Sequence, residues 1–276
     1  MGNKTKLDKI VAICMSVVFT MILLSPIKAD ANDNEEYPYT IFASSNDEWG
    51  ICIEGNNICI NGDLASKGTI KLPDAYNQNG NLIEKSSDNM IYIFDKIDKK
   101  YFNSAETNYY YNDCLIDEQN IYIDKDTEVK GIINLIGNVN IKNAIKALDN
   151  IIVNGDVKNV SNNSIIFSKY GDIIINSSNV NISGLIYAPF GEVKIISQNI
   201  DLNGVIIIAK KVTINAECIN INKNNDLARL VGIGSENIVI PDEEKKYIED
   251  KGITEIEGTS TEQETTETEV TTEDIT

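Results

Sequence analysis

Val180-x-Ile182-x-Gly184-x-Ile186-x-Ala188 is followed, twenty residues later, by Ile200-x-Leu202-x-Gly204-x-Ile206-x-Ile208. Strict alternation of apolar and polar residues marks a strand with one buried face. A second short alternation follows each run, Val193-x-Ile195 and then Val212-x-Ile214. One period earlier, Val160, Ile166, Gly171, Ile173 and Ile175 precede Val180, Ile186, Gly191, Val193 and Ile195 by the same interval, and Ile219-x-Ile221 opens another turn. Such self-similarity is the signature of a repeat architecture.

A period of about twenty residues is too short for a βαβ unit, which needs ~30. Stacked β-coils remain: two or three short strands per turn, with Asn, Asp, Ser and Gly at the corners supplying the turn conformations. The expected fold is all-β, a short parallel β-solenoid of either hand, with Ile182, Leu202 and Ile221 piled in one internal column. One coil cannot bury its own hydrophobic face, so stability must grow with stacking. Residues 116–222 leave room for about five coils, a prism ~25 Å long at ~4.8 Å per layer.

Upstream, residues 51–62 read as a first β element ending in Asn61-Gly62-Asp63, a turn repeated as Asn154-Gly155-Asp156. Between them, residues 73–115 read as an insertion with one amphipathic helix. Ser87 or Asp88 would cap it, with Ile93, Phe94, Ile97 and Tyr101 on its apolar face. A docking surface for that helix is visible in the repeats, where two outward rows are apolar: Ile165, Leu185 and Val205 form one, Phe167, Tyr187 and Ile207 the other. The alternative use of these rows is an exposed partner-binding stripe.

The chain carries 24 basic and 42 acidic residues and no histidine, which removes Ser-His-Asp and Cys-His triads and histidine-based zinc sites. Lys4, Lys6 and Lys9 precede an apolar run over 10–24 and the pair Ala29-x-Ala31, the pattern of a secretory signal peptide over 1–31. The apolar run is short of the ~20 residues that span a bilayer, so no membrane insertion is expected after cleavage. The remaining 20 basic and 40 acidic residues argue against nucleic acid and anionic membranes as partners. Of the remaining cysteines, Cys52 and Cys59 flank Gly55-Asn56; a hairpin turn there would oppose them and allow a disulfide. Four unpaired thiols are the other reading. Residues 241–276 form an acidic tail, from 257 onward almost wholly Thr, Glu and Ser.

Catalytic, cofactor and metal residues are not expected. Asp124, Asp126 and Glu128 have a D-x-D-x-E spacing that could offer oxygens to calcium, but the Gly and distal Glu of an EF-hand loop are missing, and a solvated turn is the simpler reading. Lys210-Lys211 reads as a solvated corner, and the single arginine, Arg229, lies beyond the last clear coil.

Several stretches resemble a region near the N-terminus of large secreted surface proteins of Firmicutes: Tyr39-Thr40-Ile41-Phe42-Ala43-Ser44 with Asn61-Gly62-Asp63, Asp95-Lys96-Ile97 with Tyr101-Phe102 and Tyr109-Tyr110-Tyr111, and Ser183-Gly184-Leu185-Ile186-Tyr187-Ala188-Pro189. A more distant likeness is to bactofilins. The resemblance covers roughly residues 37–222 and implies a β-solenoid, secreted or on the cell surface; the solenoid domain as a whole is expected over 37–240. A noncatalytic structural, adhesion or scaffold module is the expectation, with a surface protein or glycan as partner. Carbohydrate binding or polysaccharide cleavage by a β-helix is the alternative, and self-association through the solenoid ends is a third mode of contact.

Overall fold

The computed structural model describes residues 36–102, 106–159, 164–232, 248–250 and 252. The expected signal peptide, Val160 and, apart from 248–250 and 252, the acidic tail lie outside the described residues. Among the described residues twenty strands pair exclusively in parallel and wind into a three-faced β-solenoid, with two short helices, Phe94–Ile97 and Asn225–Val231, packed on one face. Ile182, Leu202 and Ile221 all point into the dry interior, and the ladder places Leu202 beside Ile221.

Each winding passes through the same three faces. The first winding runs from Asn108–Tyr110 on what we call the covered face, through 114–117 on the flank face, to 120–123 on the asparagine face. Windings then follow in chain order through Thr127–Val129, Ile145–Ala147, Ile165–Ser168, 184–188 and 205–209 on the covered face. The sixth ends with Cys218–Lys223 on the asparagine face.

The seventh layer does not continue the chain. It is made of Tyr39–Ala43, Ile51–Glu54 and Asn57–Asn61, which pair with 207–209, 212–215 and Cys218–Lys223. Asp63–Ser66 and Leu82–Ile83 then bring the covered face to nine layers, with Ile70–Lys71 and Asn77–Asn79 completing the eighth. The stack is roughly 40 Å long at ~4.8 Å per layer, longer than the five coils expected from 116–222. Strands 77–79, 82–83, 108–110 and 114–123 belong to the solenoid, so the insertion expected over 73–115 shrinks to 84–107.

That segment leaves the last layer and returns to the first, a path along the whole covered face. Residues 90–93 are buried and irregular, α1 spans Phe94–Ile97, and a π-helical turn, Asp98–Phe102, continues it. The helix is therefore shorter than expected and starts later. Ser87 and Asp88 do not cap it; Ile93 stands at the cap position without a side-chain bond. Asp88 instead accepts a hydrogen bond from the hydroxyl of Tyr39, fixing the start of the return path to the seventh layer. Burial and that carboxylate push the Tyr39 hydroxyl up to about 12.

At the other junction the winding is stopped by a cap. Asn224 accepts from the Leu227 amide at 3.0 Å and donates to the Gly204 carbonyl at 3.0 Å, opening α2, Asn225–Val231. Leu227, Ala228 and Val231 pack over the covered face, vacating the seventh layer for residues 39–43.

The corners are latched between layers by Asx side chains. Asp113 accepts from the Ile132 amide at 2.8 Å, Asn150 from Asp172 at 2.7 Å, and Asp172 from Glu192 at 2.7 Å. The two similar turns, Asn61-Gly62-Asp63 and Asn154-Gly155-Asp156, occupy different corners, one leaving the asparagine face and the other arriving at it. Gly155 has φ 140° and lies so close to Gly137 that a Cβ would sit 2.2 Å from its carbonyl oxygen. Only glycine fits there.

Candidate functional site

The rows expected as an apolar stripe are covered. Ile165, Leu185, Phe167 and Tyr187 are at most 1% exposed beneath 90–102 and α2. Val205 and Ile207 do not belong with them: both point into the solenoid core. A one-residue excess at the Asn203-Gly204 corner shifts the pairing, so Leu185 meets Ile206 and Tyr187 meets Ile208. Ile206 and Ile208 are the outward pair, because a one-residue slip sends every side chain to the opposite face. Phe94 stacks on Phe167 at 5.7 Å, and the Tyr187 hydroxyl donates to the Ile91 carbonyl at 2.8 Å and accepts from the Ile93 amide at 3.3 Å. This face is thus an internal interface.

Cys52 and Cys59 do not form the expected disulfide. Gly55-Asn56 is a coil corner, so Cys52 lies on the flank face and Cys59 on the asparagine face, each paired to strands of other layers. Both are free thiols, as are Cys114 and Cys218. The acids of the D-x-D-x-E run are each engaged separately. Asp124 pairs with Lys142 at 2.7 Å, Asp126 accepts from the Ala144 amide at 2.9 Å, and Glu128 pairs with Lys130 at 2.8 Å. Arg229 pairs with Glu36 at 2.8 Å. Among the described residues no group of three or more His, Cys, Asp or Glu is placed to hold a metal ion, and no helix is long and apolar enough to cross a membrane.

The remaining organised surface is the asparagine face. Along each strand the inward positions are aliphatic, so the outward ones fall in columns two residues apart. One column contains Asn120 and Asn138 in the first two layers and Asn179, Asn199, Cys218 and Asn57 in the fourth to seventh. Tyr122, Asn140, Lys158, Asn181, Asp201, Asn220, Cys59 and Asn77 form the next, and Asn203, Asn222, Asn61 and Asn79 a third.

Amides bridge the layers within these columns. Asn199 donates to Asn179 at 3.0 Å, Asn61 to Asn222 at 2.6 Å and Asn220 to Asp201 at 2.8 Å, while Asn222 reaches across to Asn220 at 3.2 Å. Each amide used once retains donor and acceptor capacity toward solvent. At the corner before this face, Asp156 accepts from the Asn179 side chain at 3.1 Å and from the amides of Asn179 and Ser178 at 2.9 and 3.1 Å. Hydrogen bonds from Asn179, foremost, hold that carboxyl below its usual range. A shallow trough between columns is lined by Asn57, Asn179, Asn181, Asn199 and Asn220 together with Asp201, Cys218 and three aliphatic residues.

Sequence reasoning placed Asn at the coil corners and missed the array. The signal was present in the alternating asparagines of 57–61, 77–79 and 218–222. What could not be seen is that these three segments are adjacent layers.

No family model matches the chain, and no curated protein does. Among solved structures, it is similar to an ice-binding protein from an Antarctic Biological Consortium, at 15% identity over 71% of this chain and 90% of that one, with a TM-score of 0.38. It is also similar to an ice-binding protein from an Antarctic ascomycete, Antarctomyces psychrotrophicus, at 11% identity over 69% and 98% of the two chains, with a TM-score of 0.24. Scores of this size say nothing about what this chain binds.

Proposed function

We propose that this chain is a noncatalytic extracellular adhesion module that holds an extended, regularly repeating, hydroxyl-rich polymer against its asparagine face. The observation that carries the reading is the in-register amide array, outward in seven of the eight layers of that face and interrupted by Lys158 in the third. Neutral amides offer a donor and an acceptor at each repeat, which suits hydroxyls and favours neither sign of charge. The backbone ladder fixes their spacing before any ligand arrives, so little ordering entropy is lost on contact. A polymer is favoured over a small molecule because the trough is shallow and the array long.

The test is retention of the purified protein on insoluble glycans (cellulose, chitin and peptidoglycan) and on crystalline ice, with a reducing-sugar assay run in parallel. Retention on at least one glycan without release of sugar ends is expected. Asn199→Lys together with Asn220→Lys should abolish it while leaving the far-ultraviolet circular dichroism unchanged. Sugar release by the wild type would make the module an enzyme. Retention on ice alone, or on nothing, would overturn the glycan reading.

A further inference from the structure

Three ionisable side chains that have no part in the asparagine face meet beneath the π-helical turn. The outward row of the covered face is apolar in six successive layers: Phe167, Tyr187, Ile208, Phe42, Ala65 and Ile83. In the second and third layers the same row holds Glu128 and Lys146, only 6% and 7% exposed. Lys146 Nζ lies 2.7 Å from Asp98 Oδ1 and 3.4 Å from Glu128 Oε1. The rings of Phe102 and Phe167 flank the amine, with centroids 5.5 and 5.9 Å away. Lys130 reaches Glu128 from the solvent side at 2.8 Å.

A buried ion pair is a poor way to fasten a helix, because the attraction only partly offsets the loss of hydration. The arrangement offers something else: a buried primary amine held in contact with a half-buried carboxyl group, beside a second, buried carboxylate. Holding reactants at contact distance supplies much of what an acyl transfer needs, and a neighbouring carboxylate can carry the protons. Burial pushes the Glu128 carboxyl up, but Lys130 and Lys146 outweigh it and hold the group low, so that it stands ionised beside the ammonium.

We propose that Lys146 and Asp98 condense to an intramolecular isopeptide bond, with Glu128 as the proton carrier. Glu128 Oε1 takes a proton from Nζ, and the freed lone pair adds to Cγ of Asp98. The nitrogen gives up a second proton, both protons pass to one carboxyl oxygen, and the Cγ–O bond breaks as Nζ–Cγ is completed. An ammonium and a carboxylate become an amide and one water, with no oxidant or cofactor. The water departs on the side where Asp98 is 41% exposed. Glu128 ends unprotonated, its charge balanced by Lys130. The product is neutral where the ion pair was buried, and it welds the return segment to the third layer.

Intact mass spectrometry of the denatured full chain decides the matter. The wild type is expected one water lighter than its sequence, with a branched proteolytic fragment joining the peptides that contain Asp98 and Lys146. Asp98→Ala and Lys146→Arg should each restore the unmodified mass, whether or not they fold as well as the wild type. Wild-type protein at full mass, with separate linear peptides, overturns the proposal. Complete cross-linking in a folded Glu128→Gln variant overturns the role given to Glu128.

Discussion

Replacing Tyr187 with phenylalanine removes a single oxygen from the covered face and leaves the ring, its 5.1 Å contact with Phe167 and its 6.0 Å contact with Phe94 in place. No cavity of consequence forms. What is lost is the 2.8 Å bond to the Ile91 carbonyl and the 3.3 Å bond from the Ile93 amide, at a site where Tyr187 is fully buried. Each backbone group left without a partner costs about 1–3 kcal/mol. The longer bond contributes the smaller share, so the pair together is worth about 2–4 kcal/mol by the same reasoning. The loss falls on the attachment of 84–107 and not on the coils, so the assay is site-resolved hydrogen exchange supported by urea unfolding. Protection of the Ile93 amide should fall about thirty-fold or more, while amides of the inner strands, such as Ile195 and Ile214, keep theirs. Tyr122→Phe, whose hydroxyl belongs to an exposed ring, serves as the control and should stay within about 0.5 kcal/mol. Unchanged Ile93 exchange together with unchanged stability in Tyr187→Phe would refute the claim that this hydroxyl fastens the return segment.

Three further outcomes are expected. Gly155→Ala forces a Cβ against the Gly137 carbonyl at φ 140° and should cost at least about 1–3 kcal/mol, read as a lowered thermal midpoint; a neutral effect would mean the corner is not held as described. Thiol labelling of the folded protein at pH 8 should modify exposed Cys218 first and buried Cys114 last, burial raising the Cys114 and Cys52 thiols, and all four should react after unfolding without a reductant; a reduction-dependent increase would point to a disulfide. Asp156 titrates lower in the folded chain than in the unfolded one, so its contribution is fully present above the ordinary carboxylate range and is lost as the pH falls through the folded value. The acid limb of a stability-against-pH curve should therefore be shallower in Asp156→Asn, and identical limbs would remove the latch.

The alternation over 180–214, with corners rich in Asn, Asp and Gly, was enough to determine a parallel solenoid, because a period of two within a period of about twenty leaves no other way to bury one face of every strand. The covered rows were legible for the same reason, as apolar residues at positions that should meet water. Their register was not. The single additional residue at Asn203-Gly204 is silent in the periodicity but exchanges Val205 and Ile207 for Ile206 and Ile208. Tertiary structure alone decided the order of the layers. A periodic pattern states that coils stack on neighbours, and every coil edge offers the same ladder of N–H and C=O groups, so nothing in residues 39–83 names the coil they must follow. The Asn224 cap turns the chain aside after Lys223, leaving an edge that the N-terminal segment fills. From that one placement follow the path of 84–107 along the solenoid, the burial of Lys146 against Asp98, and the continuation of the asparagine array across both ends of the chain.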